Sequence, residues 1–214
     1  MEQLNRLRHD ILAMGIKVEE NIGKSITSLR TNDIGLAKEV RADDAAVDAL
    51  QLKIEDEAAI LIATQQPVAR DLRELVTIFK LTGNIERAGD YAAHLAKAAI
   101  KLSKTGESPF MVQEHLEKMA STGQGMIREA IAAYLSEDAQ KARDVAAMDS
   151  VIDEEHKLLT EKVLKLMKKY PDLVKSAYQI LHTSNQLERL GDHITNICEA
   201  VIYMTDGRHE ELNE

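Results

Sequence analysis

The sequence predicts an all-α protein built as a tandem repeat of two antiparallel three-helix bundles. Three observations predict this class. Only 10 Gly and 3 Pro occur among 214 residues, about half the usual number of these helix breakers. Apolar residues recur at three- and four-residue spacing along most of the chain, which is the period of an amphipathic helix. The same motifs also appear twice, about 105 residues apart, which indicates a duplicated unit.

The first predicted repeat, residues 1–105, contains three helices. Asp33 follows the first apolar stripe and is a suitable N-cap for the second helix. The second helix ends before Pro67, a residue that suits the first turn of a third helix. That third helix continues to Leu102, and Lys104–Pro109 is the clearest predicted linker.

The second predicted repeat, residues 106–214, follows the same plan. A fourth helix runs from about Phe110 to Leu135, and Asp138 lies in the segment that caps a fifth. The fifth helix extends to Pro171, and the sixth shows the same apolar cadence as the third. The sequence therefore predicts six long helices in two bundles.

The composition argues against nucleic-acid binding and against a membrane-spanning segment. The formal net charge is -9, and aromatic residues make up 3 % of the chain, so the acidic surface would repel phosphate backbones and offers few rings for base stacking. We therefore expect no nucleic-acid binding. No apolar stretch approaches the 18 or so residues needed to span a bilayer. The N-terminus has no apolar signal region and there is a single Cys, so we expect a cytoplasmic protein without a membrane span.

Four acidic pairs are candidate metal ligands. In each pair the carboxylates are four residues apart, so both lie on one face of a helix. Like charges at this spacing are mildly destabilising and favour a compensating cation. The pairs are Asp44/Asp48, Glu86/Asp90, Asp149/Asp153 and Glu188/Asp192.

The register of the two predicted hairpins brings these pairs together. Folding the chain back at Pro67 places the first two pairs side by side, and folding at Pro171 does the same for the others. We name these groups the first quartet (Asp44, Asp48, Glu86, Asp90) and the second quartet (Asp149, Asp153, Glu188, Asp192). Both are predicted to face outward from the bundle. Carboxylate oxygens favour hard cations, so divalent or iron-type metal ions are the expected ligands, of unspecified identity.

Residues beside the quartets have structural interpretations. Gly89 and Gly191 lie in the middle of predicted helices, where Gly costs about 1 kcal/mol relative to Ala. We expect each to allow a neighbouring helix to approach closely. Arg87 and Arg189 are expected to pair with carboxylates across each hairpin, with anion binding as the alternative. His193 and Asn196 could add ligands to the second quartet.

At these residues the sequence resembles the PhoU family of bacterial phosphate-transport regulators. The resemblance is carried by Gln66–Arg73, Asn84–Asp90 and above all Asn185–Ile197, with the motif Glu-Arg-x-Gly-Asp present twice. It implies two three-helix bundles side by side and metal binding by the acidic motifs. It further implies a regulator without catalysis that acts between a phosphate ABC transporter, through its ATPase, and a phosphate-sensing histidine kinase. Such a protein restrains phosphate uptake and the starvation response, and the family favours a homodimer.

Three alternatives remain open from the sequence. The chain could be a PhoU-like accessory of another phosphate carrier, or a coiled-coil scaffold that binds no metal. It could also be a ferritin-like oxidase or metal store. The Glu-x-x-His signature of that class is absent from the sequence, and its ligands point into the bundle core rather than outward.

Overall fold

The computed structural model describes residues 2–103 and 110–213, and the predicted linker Lys104–Pro109 lies outside these ranges. No strand occurs in the described residues, so the all-α prediction is confirmed. A short 3-10 turn at Pro171–Leu173 precedes the last helix. The α-helices are α1 (Glu2–Thr31), α2 (Ile34–Gln65), α3 (Ala69–Ser103), α4 (Phe110–Ser136), α5 (Ala139–Ala146), α6 (Asp149–Lys169) and α7 (Val174–Asp206).

Two predicted N-caps are confirmed. The Asp33 carboxylate accepts a hydrogen bond from the Leu36 backbone N–H at 3.0 Å and caps α2. The Asp138 carboxylate accepts from the Lys141 N–H at 2.9 Å and caps α5. Each cap satisfies one of the backbone donors left unpaired in a first helical turn.

The predicted fifth helix is divided in two, which corrects the expectation of one continuous rod. At the break, the Met148 N–H bonds to the Val145 carbonyl three residues back at 3.0 Å. Ala147 and Met148 keep right-handed helical backbone angles through this tighter turn, and Asp149 is the first residue of α6. No Gly or Pro lies in the break, so its cause is tertiary packing rather than local sequence preference.

The two repeats pack through α3 and α7, which form the most extensive helix contact described. These helices run antiparallel, because Lys101 near the end of α3 donates to Gln179 near the start of α7 at 3.3 Å. The α1 helix also packs on α4. A single apolar cluster extends from Leu7 to Met204 through both repeats. The repeats therefore share one core, and the predicted boundary at residues 105 and 106 falls outside the described ranges.

A buried ion pair joins the repeats at one end. Arg8 on α1 donates to Glu74 on α3 at 2.7 Å and to Glu137, which follows α4, at 2.9 Å. Tyr134 on α4 also donates to Glu74, at 3.4 Å. Glu74 is almost fully buried, so losing Arg8 would leave an unpaired charge inside the protein.

Within the described residues, every helix is too short or too polar to cross a bilayer.

Candidate metal centre

The first quartet lies along the contact between α2 and α3. Burial, followed by the charges of Asp90 and Asp48, raises the pKa of Asp44 above its ordinary value. Burial, followed by the Asp90 charge, likewise raises the pKa of Glu86. Such mutual repulsion means that the carboxylates are close enough for their charges to interact. The four residues of the first quartet therefore influence one another's protonation.

The second quartet lies along the contact between α6 and α7 and is more strongly coupled. Burial, followed by the charges of Asp153 and Asp192, raises the pKa of Asp149 to about 7. Burial and the Asp192 charge raise the pKa values of Asp153 and Glu188. The charges of all four carboxylates therefore interact, as the hairpin register leads us to expect.

Asp149 differs from the sequence expectation because it is buried rather than outward-facing. The residue is only 9 % exposed. Its Oδ2 atom accepts a hydrogen bond from Thr195 at 3.5 Å, whereas its Oδ1 atom has no hydrogen-bond partner among the described residues. A buried polar atom without a partner is uncommon and costly. Asp149 is the first residue after the helix break, which the sequence pattern does not reveal.

Gly191 provides the space that Asp149 occupies. A Cβ atom at residue 191 would lie 1.9 Å from Asp149 Oδ1, far inside van der Waals contact. At the equivalent Gly89 the nearest atom to such a Cβ is Cγ1 of Val47, at 3.3 Å. Both glycines thus allow close approach within unbroken helices, as expected. The approaching group is a carboxylate in one repeat and an apolar side chain in the other.

A cleft of about 270 Å³ opens beside the second quartet, and the C-terminal segment forms part of its wall. Asp149, Asp153 and Asp192 line it together with Leu212 and Asn213. The segment is held by the Leu212 N–H, which donates to Glu199 at 2.7 Å, and by Asn213, which donates to the Asp192 carbonyl at 3.3 Å. Sequence reasoning missed this wall, because one apolar residue in a polar tail carries no periodic signal.

The arginines of the repeated motif do not pair as expected. Arg87 contacts Asp90 at 3.0 Å and Glu86 at 3.6 Å, both on its own helix. The prediction of pairing across the hairpin is therefore wrong for Arg87. Arg189 makes no ion pair with any residue in the described ranges, although its charge opposes the rise in the pKa of Glu188.

His193 and Asn196 lie in the seam between α3 and α7, beside the second quartet. His193 donates from Nδ1 to the side-chain oxygen of Asn84 at 2.9 Å, and Asn196 donates to the same oxygen at 3.5 Å. Burial, followed by the charges of Arg189 and Arg87, lowers the pKa of His193. Because charges from both motifs act on this one ring, the two quartets flank a single seam.

The donor set suits a hard cation, but its ligands are not gathered around one point. In the ranges 2–103 and 110–213, no three His, Cys, Asp or Glu side chains are close enough together to hold a metal ion. Metal binding therefore requires side-chain movement. A cation would replace the mutual repulsion of four carboxylates with attraction, and it would supply a partner for the orphaned oxygen of Asp149. The assignment of the eight residues as ligands stays a prediction.

Comparison with known proteins identifies the family. The PhoU domain family model matches the chain twice, at residues 11–99 and 116–201. A phosphate-specific transport system accessory protein PhoU homolog from Pseudomonas putida is 35 % identical over 98 % of this chain and 83 % of its own length.

Solved structures agree with this result. The crystal structure of PhoU from Pseudomonas aeruginosa is 34 % identical, with a TM-score of 0.91 over 97 % of this chain and 99 % of that one. The phosphate transport system regulatory protein PhoU from Streptococcus pneumoniae is 29 % identical, with a TM-score of 0.89 and 97 % of both chains covered. The family model matches both repeats, and the relatives and the solved structures agree with it, so the chain belongs to the PhoU family.

Proposed function

We propose that this chain is a cytoplasmic accessory protein that restrains phosphate uptake and represses the phosphate-starvation response. Family membership is the observation that carries this proposal, and it supports an accessory role rather than an enzymatic one. The proposed partners are the ATPase of a phosphate ABC transporter and a phosphate-sensing histidine kinase, bound by a homodimer of this chain.

The regulatory proposal is tested by copurification and by a reporter. The tagged chain is expected to retain the transporter ATPase and the kinase from detergent-solubilised membranes. Removing its gene is expected to make a starvation-responsive promoter active in phosphate-rich medium, and the wild-type gene is expected to restore repression. Light scattering during size-exclusion chromatography measures the molar mass of the protein in solution and so tests whether the chain forms a homodimer. Recovery of a different phosphate carrier would instead support an accessory role outside the ABC transporter.

The proposed role of the two quartets is to bind divalent or iron-type metal ions at the bundle surface. The observation that supports this best is the buried Oδ1 atom of Asp149, which lacks a hydrogen-bond partner in the described chain, while the charges of Asp153, Asp192 and Glu188 raise the pKa of this carboxyl group. A ferritin-like centre receives no support, because Asp48 and Asp153 are exposed at the surface, whereas di-iron ligands point into a bundle core.

Metal content tests the ligand assignment. The double variant Asp90→Asn with Asp192→Asn is expected to lose bound metal and the thermal stabilisation that metal provides. A control with the same charge change, Asp56→Asn with Asp144→Asn, alters exposed carboxylates outside both quartets and is expected to keep both. Unchanged metal stoichiometry in the first variant would defeat the assignment.

A further inference from the structure

The junction between α6 and α7 carries a cluster of lysines in an otherwise acidic protein. We call it the basic end and define it as Lys162, Lys165, Lys168, Lys169 and Lys175, all of which are exposed. Residues 161–175 contain these five lysines and two acidic residues, Glu161 and Asp172, whereas the whole chain carries a formal charge of -9. The local charge thus has the opposite sign to the net charge.

These lysines are not consumed by internal ion pairs. Across the described residues, none of the five lies in a salt bridge with a carboxylate. Lys162 donates to Nε2 of His115 at 2.6 Å, and the Lys169 ammonium lies 5.1 Å from the ring centre of Tyr170. Lys168 and Lys169 occupy the last turn of α6, where cations complement the helix dipole. Lys175 is in the first turn of α7, where the same dipole opposes a cation, so helix stabilisation does not explain the cluster.

Exposed apolar side chains lie among the lysines. Tyr178 is 64 % exposed, and Leu164, Tyr170 and Val174 are each close to half exposed. Lysines interspersed with tyrosines and aliphatic residues are typical of surfaces that rest at the boundary between lipid headgroups and acyl chains. Long lysine side chains can direct their ammonium groups to headgroups while their stems cover apolar surface.

The equivalent hairpin end of the first repeat lacks this character. Residues 57–70 correspond to residues 162–175 and contain no lysine. Their one cation, Arg70, forms an ion pair with Glu137. Val68 there is 76 % exposed, so apolar exposure is shared by the two ends but free positive charge is not. Because α3 and α7 run antiparallel, the two hairpins point to opposite ends of the molecule.

We propose that the basic end docks on the anionic surface of a phospholipid bilayer. Charge complementarity favours lipid over an acidic protein, because residues 144–188 contain no Arg. Arg is the residue suited to bidentate pairing with defined carboxylates, whereas the lysine ammonium is a point charge that suits a diffuse layer of headgroups. The docked chain lies on the membrane without crossing it.

The position of the basic end keeps it apart from the acidic quartets. Lys162, the nearest lysine of the basic end, is nine positions along α6 from Asp153, a rise of about 14 Å along a helix. The screening length at physiological salt is about 8 Å. Repulsion between the second quartet and anionic lipid is therefore screened, and the lysines act as a local positive surface.

Vesicle sedimentation tests the proposal with the full-length chain. The wild-type chain is expected to sediment with phosphatidylcholine vesicles that contain about one third phosphatidylglycerol. It is not expected to bind vesicles of phosphatidylcholine alone. Raising the salt concentration is expected to weaken binding. Changing Lys162, Lys165, Lys168 and Lys169 to Gln is expected to reduce the partition coefficient at least about tenfold. Glutamine preserves helix propensity, so the melting temperature should not change.

A charge-matched control separates the basic end from net charge. Changing Lys17, Lys38, Lys53 and Lys97 to Gln alters the net charge by the same amount away from the basic end and is expected to retain binding. Equal partitioning of wild type into both vesicle types would overturn the proposal, and so would an equal loss in the control. If wild type ignores vesicles but the four-lysine variant no longer copurifies with transporter components, the basic end contacts protein and the lipid proposal is wrong.

Discussion

Asp44 and Asp149 occupy equivalent positions in the two repeats, yet they have different surroundings. Asp44 lies in the middle of the unbroken α2 and is partly exposed, whereas Asp149 begins α6 and is buried. In the first repeat Val47 packs against Gly89, whereas in the second repeat the Asp149 carboxylate packs against Gly191. The comparison shows that a duplicated motif can keep its residue types and spacing while one carboxylate changes from a partly exposed to a buried position.

The first test of this difference is the pH dependence of metal binding. Asp149 must lose its proton to bind a cation, and its pKa is about 7. The affinity of the second quartet is therefore expected to fall about tenfold per pH unit below 7, or about a hundredfold by pH 5. Calorimetric titration in an Asp44→Asn, Asp90→Asn background isolates that quartet.

The first quartet is the control for this pH series. Measured in an Asp153→Asn, Asp192→Asn background, it is expected to retain its affinity to lower pH, because Asp44 is less buried than Asp149. Parallel pH profiles for the two quartets would show that the burial of Asp149 does not influence metal binding.

Exchanging the glycines sharpens the comparison. In Gly191→Ala the added methyl group displaces the Asp149 carboxylate, whose Oδ1 would be 1.9 Å away. The affinity of the second quartet for metal is expected to fall roughly tenfold to a hundredfold, the usual effect of disturbing the support of a metal ligand. In Gly89→Ala the added methyl group meets apolar side chains, Val47 at 3.3 Å and Val18 at 3.5 Å, and is expected to change the first quartet little. A comparable loss in both variants would contradict the difference.

Stability without metal provides a third test. The folded-state pKa of Asp149 exceeds the ordinary value of 3.8, so its contribution is favourable only at low pH and is lost as pH rises from about 4 to 7. In the presence of a chelator, Asp149→Asn is expected to raise the free energy of unfolding by about 2 kcal/mol at pH 8 and by less at pH 5. Urea denaturation measures both values, and an equal gain at the two pH values would refute the interpretation.

The smallest expected effect concerns the C-terminal segment, which lines the cleft beside the second quartet. Leu212→Ser weakens the packing of this segment on the core and opens one side of the cleft. Metal release from the second quartet is expected to accelerate severalfold, while release from the first quartet stays unchanged. Stopped-flow chelation measures both rates, and unchanged release from the second quartet would show that the segment does not limit exit.

Much of the candidate site could be predicted because helical periodicity and hairpin register are local, additive properties. Spacing of four residues places two carboxylates on one face, and a turn at a proline determines which residues of the next helix lie beside them. The pairing of Arg87 was mispredicted because helix periodicity allows a partner on its own helix as well as across the hairpin. Arg87 forms ion pairs with Glu86 and Asp90, which lie on its own helix, α3.

The sequence by itself determined the helical class, the duplication and the N-caps at Asp33 and Asp138, and it predicted which carboxylates influence one another's charge. Only the tertiary structure decided that Asp149 turns inward, that α5 and α6 separate without a Gly or Pro, and that Leu212 covers one quartet. The physical reason is that periodicity assigns a residue to a face of its own helix. Which side chain packs against a helix glycine depends on how closely and at what angle the neighbouring helix packs. The packing of the whole core determines that distance and angle.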